Sequence, residues 1–184
     1  INENWVLTTP GVVPAINYMV QCFSNPGDRI LVQTPVYYPF FSAIQNNGGQ
    51  IVSSSLLLEH GCYQMDFEDF EKKAADPATT LFILCSPHNP VGRVWTREEL
   101  IRLGAICLKH RVLVVADEIH ADLATLAPIG LAELPHGIQV LVAVPAGVHS
   151  QALFGFRFFE FDHPVKGKIH FRGVQHVEQD HIVS

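Results

Sequence analysis

One apolar strand that ends in two acids constrains this chain more than any other feature. Residues 112–120 read VLVVADEIH, in which small and β-branched apolar residues lead directly into Asp117 and Glu118. A continuous apolar run of this kind is typical of a strand that is covered on both faces, as in a parallel sheet. Since open parallel sheets bind ligands at the carboxyl ends of their strands, we expect these acids to face a crevice.

A second strand of the same kind lies upstream, over 81–85, and it leaves through the loop SPHNPVG at 86–92. The helix between the two strands begins with a predicted capping box from Thr96 to Glu99, in which hydroxyl and carboxylate satisfy free backbone amides. Strand, helix and strand in quick succession predict a right-handed crossover in a parallel sheet. The two strand exits therefore predict one site that is built from both loops.

The first two thirds of the chain alternate between predicted strands and helices. Further helices are predicted over 12–23, 40–45 and 66–75, and further strands over 29–33 and 50–55. The alternation predicts an α/β fold of three layers, with helices on both faces of a mainly parallel sheet.

The alternation becomes unclear in the last third. Residues 139–144 could form a strand, 154–161 are an aromatic run without a predicted structure, and 163–184 are polar and rich in His and Gln. We therefore expect a partial domain over 1–123 and a tail over 124–184 that is poorly ordered or frame-shifted.

Composition excludes some classes of protein. With 184 residues and a net charge of −6 the chain fits one domain and lacks the basic surface of a nucleic-acid binder. No apolar run has the length of a membrane span. The spacing of the four cysteines does not suit a metal, so reduced thiols in a cytoplasmic protein are the expectation. These cysteines are Cys22, Cys62, Cys85 and Cys107.

Taken singly, the polar motifs are weak signals. The Asn-Pro sequence at 89–90 is a common turn, and acids after a strand are often only solvated. Their order along the chain is more informative. A turn and helix start at 9–12 come first, then the aromatic loop 34–39, the Asn-Pro turn, and the acids at 117–118. A helix N-terminus offers amides to an anion.

Together these motifs resemble the large domain of a fold-type I pyridoxal-phosphate (PLP) enzyme. More narrowly, the GVVP and DEIH sequences are similar to the cystathionine β-lyase (C–S lyase) branch of the class I/II aminotransferases. The resemblance covers about residues 1–123. The segments that carry it read PGVVPAI at 10–16, NPGD at 25–28, QTPVY at 33–37, SPHNPVGRVW at 86–95 and ADEIH at 116–120.

The resemblance implies a role for each site residue. The amides of Gly11, Val12 and Val13 would hold the phosphate. The ring of Tyr37, or that of Tyr38 as the second choice, would stack on the pyridine.

Asn89 and His120 would donate to the phenolic oxygen of the cofactor. Asp117 would keep the ring nitrogen protonated, and the protonated ring is the electron sink. The implied reaction is β-elimination of a thiol from a sulfur amino acid such as cystathionine, in a homodimer, with aminotransferase activity as the alternative.

One family feature is missing from the sequence. These enzymes bind the cofactor covalently through a lysine in a Ser-x-x-Lys turn, and that amine also moves the Cα proton. The interval in which the resemblance places the lysine reads GVHSQA at 147–152. The only later lysines are Lys166 and Lys168. We therefore expect an incomplete and inactive chain, without a catalytic lysine, that is a fragment, truncation or frame-shifted product.

Two alternatives belong to other functional classes. Asp117, Glu118, His120 and Asp122 offer oxygen and nitrogen ligands to a metal ion, although adjacent acids point in different directions. A non-catalytic remnant that binds or dimerises is the other alternative, because part of a domain leaves apolar surface uncovered.

Overall fold

The computed structural model describes residues 8–121, 140–146 and 153–159. These residues form nine strands and four helices, and the two kinds of element alternate over 8–117 except at 50–64, where three strands follow one another. In chain order they are β1 (Thr8–Thr9), α1 (Val12–Phe23), β2 (Arg29–Thr34), α2 (Pro39–Asn46), β3 (Gln50–Ser55), β4 (Leu57–Glu59), β5 (Cys62–Gln64), α3 (Phe67–Ala74), β6 (Thr79–Cys85), α4 (Arg97–His110), β7 (Leu113–Asp117), β8 (Val140–Ala146) and β9 (Leu153–Phe159).

Seven of these strands form one sheet in the order β1-β9-β8-β7-β6-β2-β3. The five strands from β8 to β3 run parallel, while β9 is antiparallel to both β8 and β1. The strands β4 and β5 form a separate antiparallel hairpin. The predicted mainly parallel sheet is thus confirmed.

Alternating side chains of the central strands fill two hydrophobic cores, one on each face of the sheet. On β6, Phe82 and Leu84 pack beneath α3 and α4, whereas Leu81 and Ile83 pack beneath α1 and α2. All four side chains are almost completely buried. This burial on both faces explains why the strand is apolar throughout, and it gives the three predicted layers.

The helix ends follow from local sequence. The predicted capping box is present, since Glu99 N–H donates to Thr96 Oγ1 at 3.2 Å and Thr96 N–H donates to Glu99 Oε2 at 2.7 Å. At the start of α3 the side chain of Asp66 accepts from the amide of Asp69. Helix α4 ends at Arg111, whose left-handed backbone (φ 60°) stops the helical hydrogen-bond pattern.

The sheet continues past residue 123. The possible strand at 139–144 is β8, parallel to β7. The aromatic run, for which the sequence predicted no structure, contributes β9 between β8 and β1. Its pairing with β1 joins distant parts of the chain, and local sequence patterns carry no signal for such contacts. The rest of the predicted tail lies outside the described residues.

Two further expectations concern composition. Among the described residues no helix combines the length and the apolar character that a bilayer crossing requires. All four cysteines are free thiols, but only Cys85 and Cys107 are buried, while Cys62 is half-buried and Cys22 is exposed.

The capping box generates a first prediction. Thr96→Ala is expected to lower the free energy of unfolding by about 1 kcal/mol, because an amide at the start of α4 loses its acceptor. Urea denaturation followed by circular dichroism measures the change. Thr96→Ser keeps the hydroxyl and serves as the control, and equal losses in the two variants would contradict the capping role.

Candidate active site

The site is organised around Asp117, the last residue of β7. The preceding residues Val114, Val115 and Ala116 are buried between the helical layers, and the side chain of Asp117 is itself only 2% exposed. Its Oδ1 accepts a hydrogen bond from the backbone N–H of Ile119 at 3.0 Å. The strand therefore places a carboxylate where few water molecules can reach it.

Burial raises the pKa of Asp117 to about 6, although the Ile119 amide and the charge of His120 both act to lower it. Desolvation is the largest cause, since removing a carboxylate from water disfavours its charged form. Near neutral pH the group is mostly ionised but incompletely compensated. A cationic ligand group next to it would be bound favourably.

The neighbouring strand contributes a thiol. Cys85, the last residue of β6, is the register partner of Asp117, and its side chain is buried. Burial raises the pKa of Cys85 to about 12, with a smaller contribution from the charge of Asp117. The backbone N–H of Asn89 points at its sulfur at 3.4 Å. The thiol is thus a neutral wall of the site rather than a nucleophile.

The loop after β6 carries Asn89 and is closed by its own backbone. His88 N–H donates to the Arg93 carbonyl at 2.7 Å, and Gly92 N–H donates to the His88 carbonyl at 2.8 Å. Gly92 has a φ of +71°, which a residue with a Cβ rarely adopts. This turn brings Asn89 back over the end of the strand.

The loop after β2 carries the two tyrosines. Tyr37 is half-buried, and its ring meets that of Phe40 edge-on at 6.0 Å between centroids. Tyr38 is 72% exposed, and its ring meets that of Phe41 edge-on instead. The structure thus distinguishes two adjacent aromatic residues that the sequence left as alternatives.

The N-terminus of α1 reaches the same region. Gly11 is the N-cap residue, and no side chain caps the helix. Thr9 instead donates from its hydroxyl to the Gly11 carbonyl at 3.0 Å. The amides of the first turn therefore lack a side-chain acceptor, and the helix dipole adds a partial positive charge there.

These elements enclose a cavity of about 210 Å³. Its lining includes five of the seven predicted cofactor-binding residues and two that the sequence analysis did not predict. The five are Val12, Tyr37, Asn89, Asp117 and His120, and the other two are Cys85 and Ile119.

The remaining two predicted residues, Gly11 and Val13, flank Val12 but do not line the cavity. The sequence does not predict Cys85 as a cavity residue, since the register that sets it beside Asp117 depends on pairing between strands. Glu118, next to Asp117, is half-buried and outside the lining.

The described residues lend no support to the alternative of a metal site. Within 8–121 and the two later strands, no three His, Cys, Asp or Glu side chains are arranged to hold a metal ion. Asp122, one of the four proposed ligands, lies outside the described residues.

Comparisons with known proteins bear on this site. The family profile described as aminotransferase class I and II matches residues 1–145. The chain is 52% identical over 123 residues to cystathionine beta-lyase PatB of Bacillus subtilis. This alignment covers 67% of this chain and 32% of that protein. It is 32% identical over 123 residues to Protein MalY of Escherichia coli, with the same coverage. The chain thus spans about a third of the length of these relatives.

Solved structures are similar as well. Cystalysin from Treponema denticola, which contains a pyridoxal 5'-phosphate cofactor, matches with a TM-score of 0.75 and 34% identity over 87% of this chain and 43% of that one. The PLP-bound C-S lyase from Staphylococcus hominis matches with a TM-score of 0.75 and 32% identity. The match covers 79% of this chain and 39% of that one.

The buried carboxylate generates a second prediction. Asp117→Asn is expected to increase the free energy of unfolding at about pH 7.5 by up to about 3 kcal/mol, because it removes a desolvated charge. The folded-state pKa of about 6 lies above the ordinary value of 3.8. The wild type therefore loses stability as the pH rises from the ordinary pKa towards the folded-state pKa. Below the ordinary pKa, where Asp117 is protonated in both states, Asp117→Asn should no longer be more stable than the wild type.

Denaturation of both proteins across this pH range measures the effect. Glu118→Gln, which removes the same charge from a half-buried position, is the matched control. A stabilisation by Asp117→Asn that does not change between about pH 4 and 7.5 would contradict the assignment.

Proposed function

Since this chain belongs to the aminotransferase class I and II family, we propose that it is the cofactor-binding part of a PLP-dependent C–S β-lyase. The substrates would be sulfur amino acids such as cystathionine. The observation that carries the proposal is the buried carboxylate of Asp117 in a cavity that is also lined by Tyr37, Asn89 and His120. The names of the relatives support the lyase reading over other members of the family.

The residues of the cavity suit the chemistry of the cofactor. A protonated pyridine nitrogen needs an anion, and the carboxylate of Asp117 is buried and incompletely compensated. The ring of Tyr37 offers a flat partner to the pyridine. The side chains of Asn89 and His120 offer donors to its phenolic oxygen. The uncapped amides at Gly11, Val12 and Val13 suit a phosphate.

When bound, PLP would supply an electron sink that makes loss of the Cα proton feasible. The role of Asp117 would be to hold a proton on the ring nitrogen, because its charge favours the pyridinium form. Cys85, being neutral, would only pack against the ligand, since a thiol with a pKa of about 12 is not ionised near neutral pH.

Covalent attachment is a separate question. The interval 147–152, in which the family places its lysine, has no amine. We therefore propose that this chain on its own binds PLP weakly and reversibly and does not turn over substrate. A cytoplasmic homodimer, with residues 1–123 as the cofactor-binding unit, is part of the same proposal.

Aminotransferase activity is the second candidate. It is supported by the similarity to aspartate aminotransferase of Geobacillus stearothermophilus, which is 31% identical over 155 residues, 83% of this chain and 39% of that protein. Both candidates need the same cofactor and the same carboxylate. The groups that separate them are those that contact the substrate rather than the ring nitrogen.

A third prediction tests the role of Asp117. Asp117→Ala is expected to raise the Kd for PLP by roughly 10- to 150-fold, because a charge-assisted hydrogen bond contributes about 1.5–3 kcal/mol. Titration followed by the absorbance of the cofactor measures the Kd. Glu118→Ala is the matched control at the neighbouring position, and equal losses in the two variants would count against the assignment.

A fourth prediction tests the missing lysine. After incubation with PLP and reduction with borohydride, mass spectrometry is expected to find no stoichiometric labelling of Lys166 or Lys168. Neither lysine stands in the interval 147–152 where the family places its lysine, and an amine attacks the cofactor only in its deprotonated form. Stoichiometric labelling together with release of pyruvate from cystathionine would overturn the proposal of an inactive chain.

A further inference from the structure

The side chain of His88 connects the two loops that frame the cavity. His88 lies in the loop after β6 and is 1% exposed. Its Nε2 is 2.9 Å from the carbonyl oxygen of Pro35, which lies in the loop after β2. Because Tyr37 follows Pro35 by two residues and Asn89 follows His88 directly, this one contact joins the backbones that carry two cavity residues.

The chemistry of the contact fixes the protonation of the ring. A carbonyl oxygen only accepts hydrogen bonds, so Nε2 must carry the hydrogen. Burial lowers the pKa of His88, which leaves the imidazole neutral near pH 7. Nδ1 then has no hydrogen, and it is buried without a hydrogen-bond partner. The bond to Pro35 is therefore the one that links this ring to the loop after β2, and backbone groups of Cys85 and Gln33 also interact with the ring.

Aromatic packing holds the ring from its other side. Trp95 is 1% exposed, and its ring meets that of His88 edge-on at 5.3 Å between centroids. The indole Nε1–H donates to the carbonyl of Cys85 at 3.0 Å. The guanidinium of Arg93 lies 4.9 Å from the centre of the Trp95 ring and pairs with Glu99 at 2.5 Å. This packing ties the His88 ring to the capped start of α4.

We propose that His88 is a positioning residue, whose Nε2–H···O=C bond to Pro35 sets the spacing between the Tyr37 loop and the Asn89 loop. The ring does not line the cavity, so its effect on a ligand is indirect. The consequence for PLP rests on the proposed function, whereas the connection between the loops does not. A histidine that merely filled core volume would contribute stability without affecting the loops selectively.

The experiment compares three variants in the full chain. His88→Leu removes the donor, and His88→Gln retains an N–H that reaches towards Pro35. Leu103→Val removes a methylene from α4, in the hydrophobic core that also contains Trp95. Hydrogen exchange of the amides at 36–38 reports the order of the Tyr37 loop without any ligand, and titration with PLP gives the Kd.

His88→Leu is expected to accelerate exchange at 36–38 and to raise the Kd for PLP on the order of tenfold, since the Pro35 carbonyl loses the donor that joins the two loops. In His88→Gln, both the exchange rate and the Kd should return most of the way to the wild-type values. Leu103→Val should lower the thermal stability but change neither the exchange at 36–38 nor the Kd for PLP. Unchanged exchange at 36–38 in His88→Leu, or an equal change in Leu103→Val, would overturn the proposal.

A measurement on the wild type keeps the test decisive if His88→Leu does not fold. Long-range ¹H–¹⁵N correlation spectra assign the tautomer of His88, and we expect a protonated Nε2. An unprotonated Nε2 would overturn the proposal, because it could not donate to Pro35. Absence of PLP binding by the wild type would instead contradict the proposed function, since neither exchange nor tautomer depends on the cofactor.

Discussion

The site depends on a carboxylate that the fold holds out of water. Asp117 ends a strand whose preceding residues are buried between two helical layers, and its own burial raises its pKa to about 6. An incompletely compensated charge in such a place destabilises the fold, so packing elsewhere in the domain must offset it. Local destabilisation of this kind is typical of functional sites, because the same desolvation strengthens the attraction to a cationic ligand group. The remaining features of the site serve to place other groups around this carboxylate.

Parallel pairing of the central strands gathers those groups. Because β2, β6 and β7 run in the same direction, their carboxyl ends and the loops that follow lie at one edge of the sheet. The loop after β6 carries Asn89, and the loop after β2 carries Tyr37. Contacts between the loops then complete the arrangement, since the bond from His88 to the Pro35 carbonyl spans them. The cavity is thus a product of strand direction first and of loop-to-loop contacts second.

Elements with a strong local signal could be predicted from the sequence. The capping box at Thr96 identified the start of α4, and the continuous apolar strands identified a parallel sheet. Cys85 was missed as a cavity residue because its place beside Asp117 follows from register between strands. The strand at 153–159 was missed for the same reason, since its partners β8 and β1 are defined only by pairing.

The layered fold and the residue types at the strand exits follow from local sequence patterns, because hydrophobic periodicity, helix caps and turn residues act over a few neighbouring positions. The sequence also shows that no lysine stands in the interval 147–152. Folding in three dimensions is needed to establish which of two adjacent tyrosines lines the cavity, that a thiol forms part of its wall, and that His88 joins the two loops. These outcomes depend on contacts between segments that are far apart in the chain, where burial and register, rather than local preference, select the arrangement.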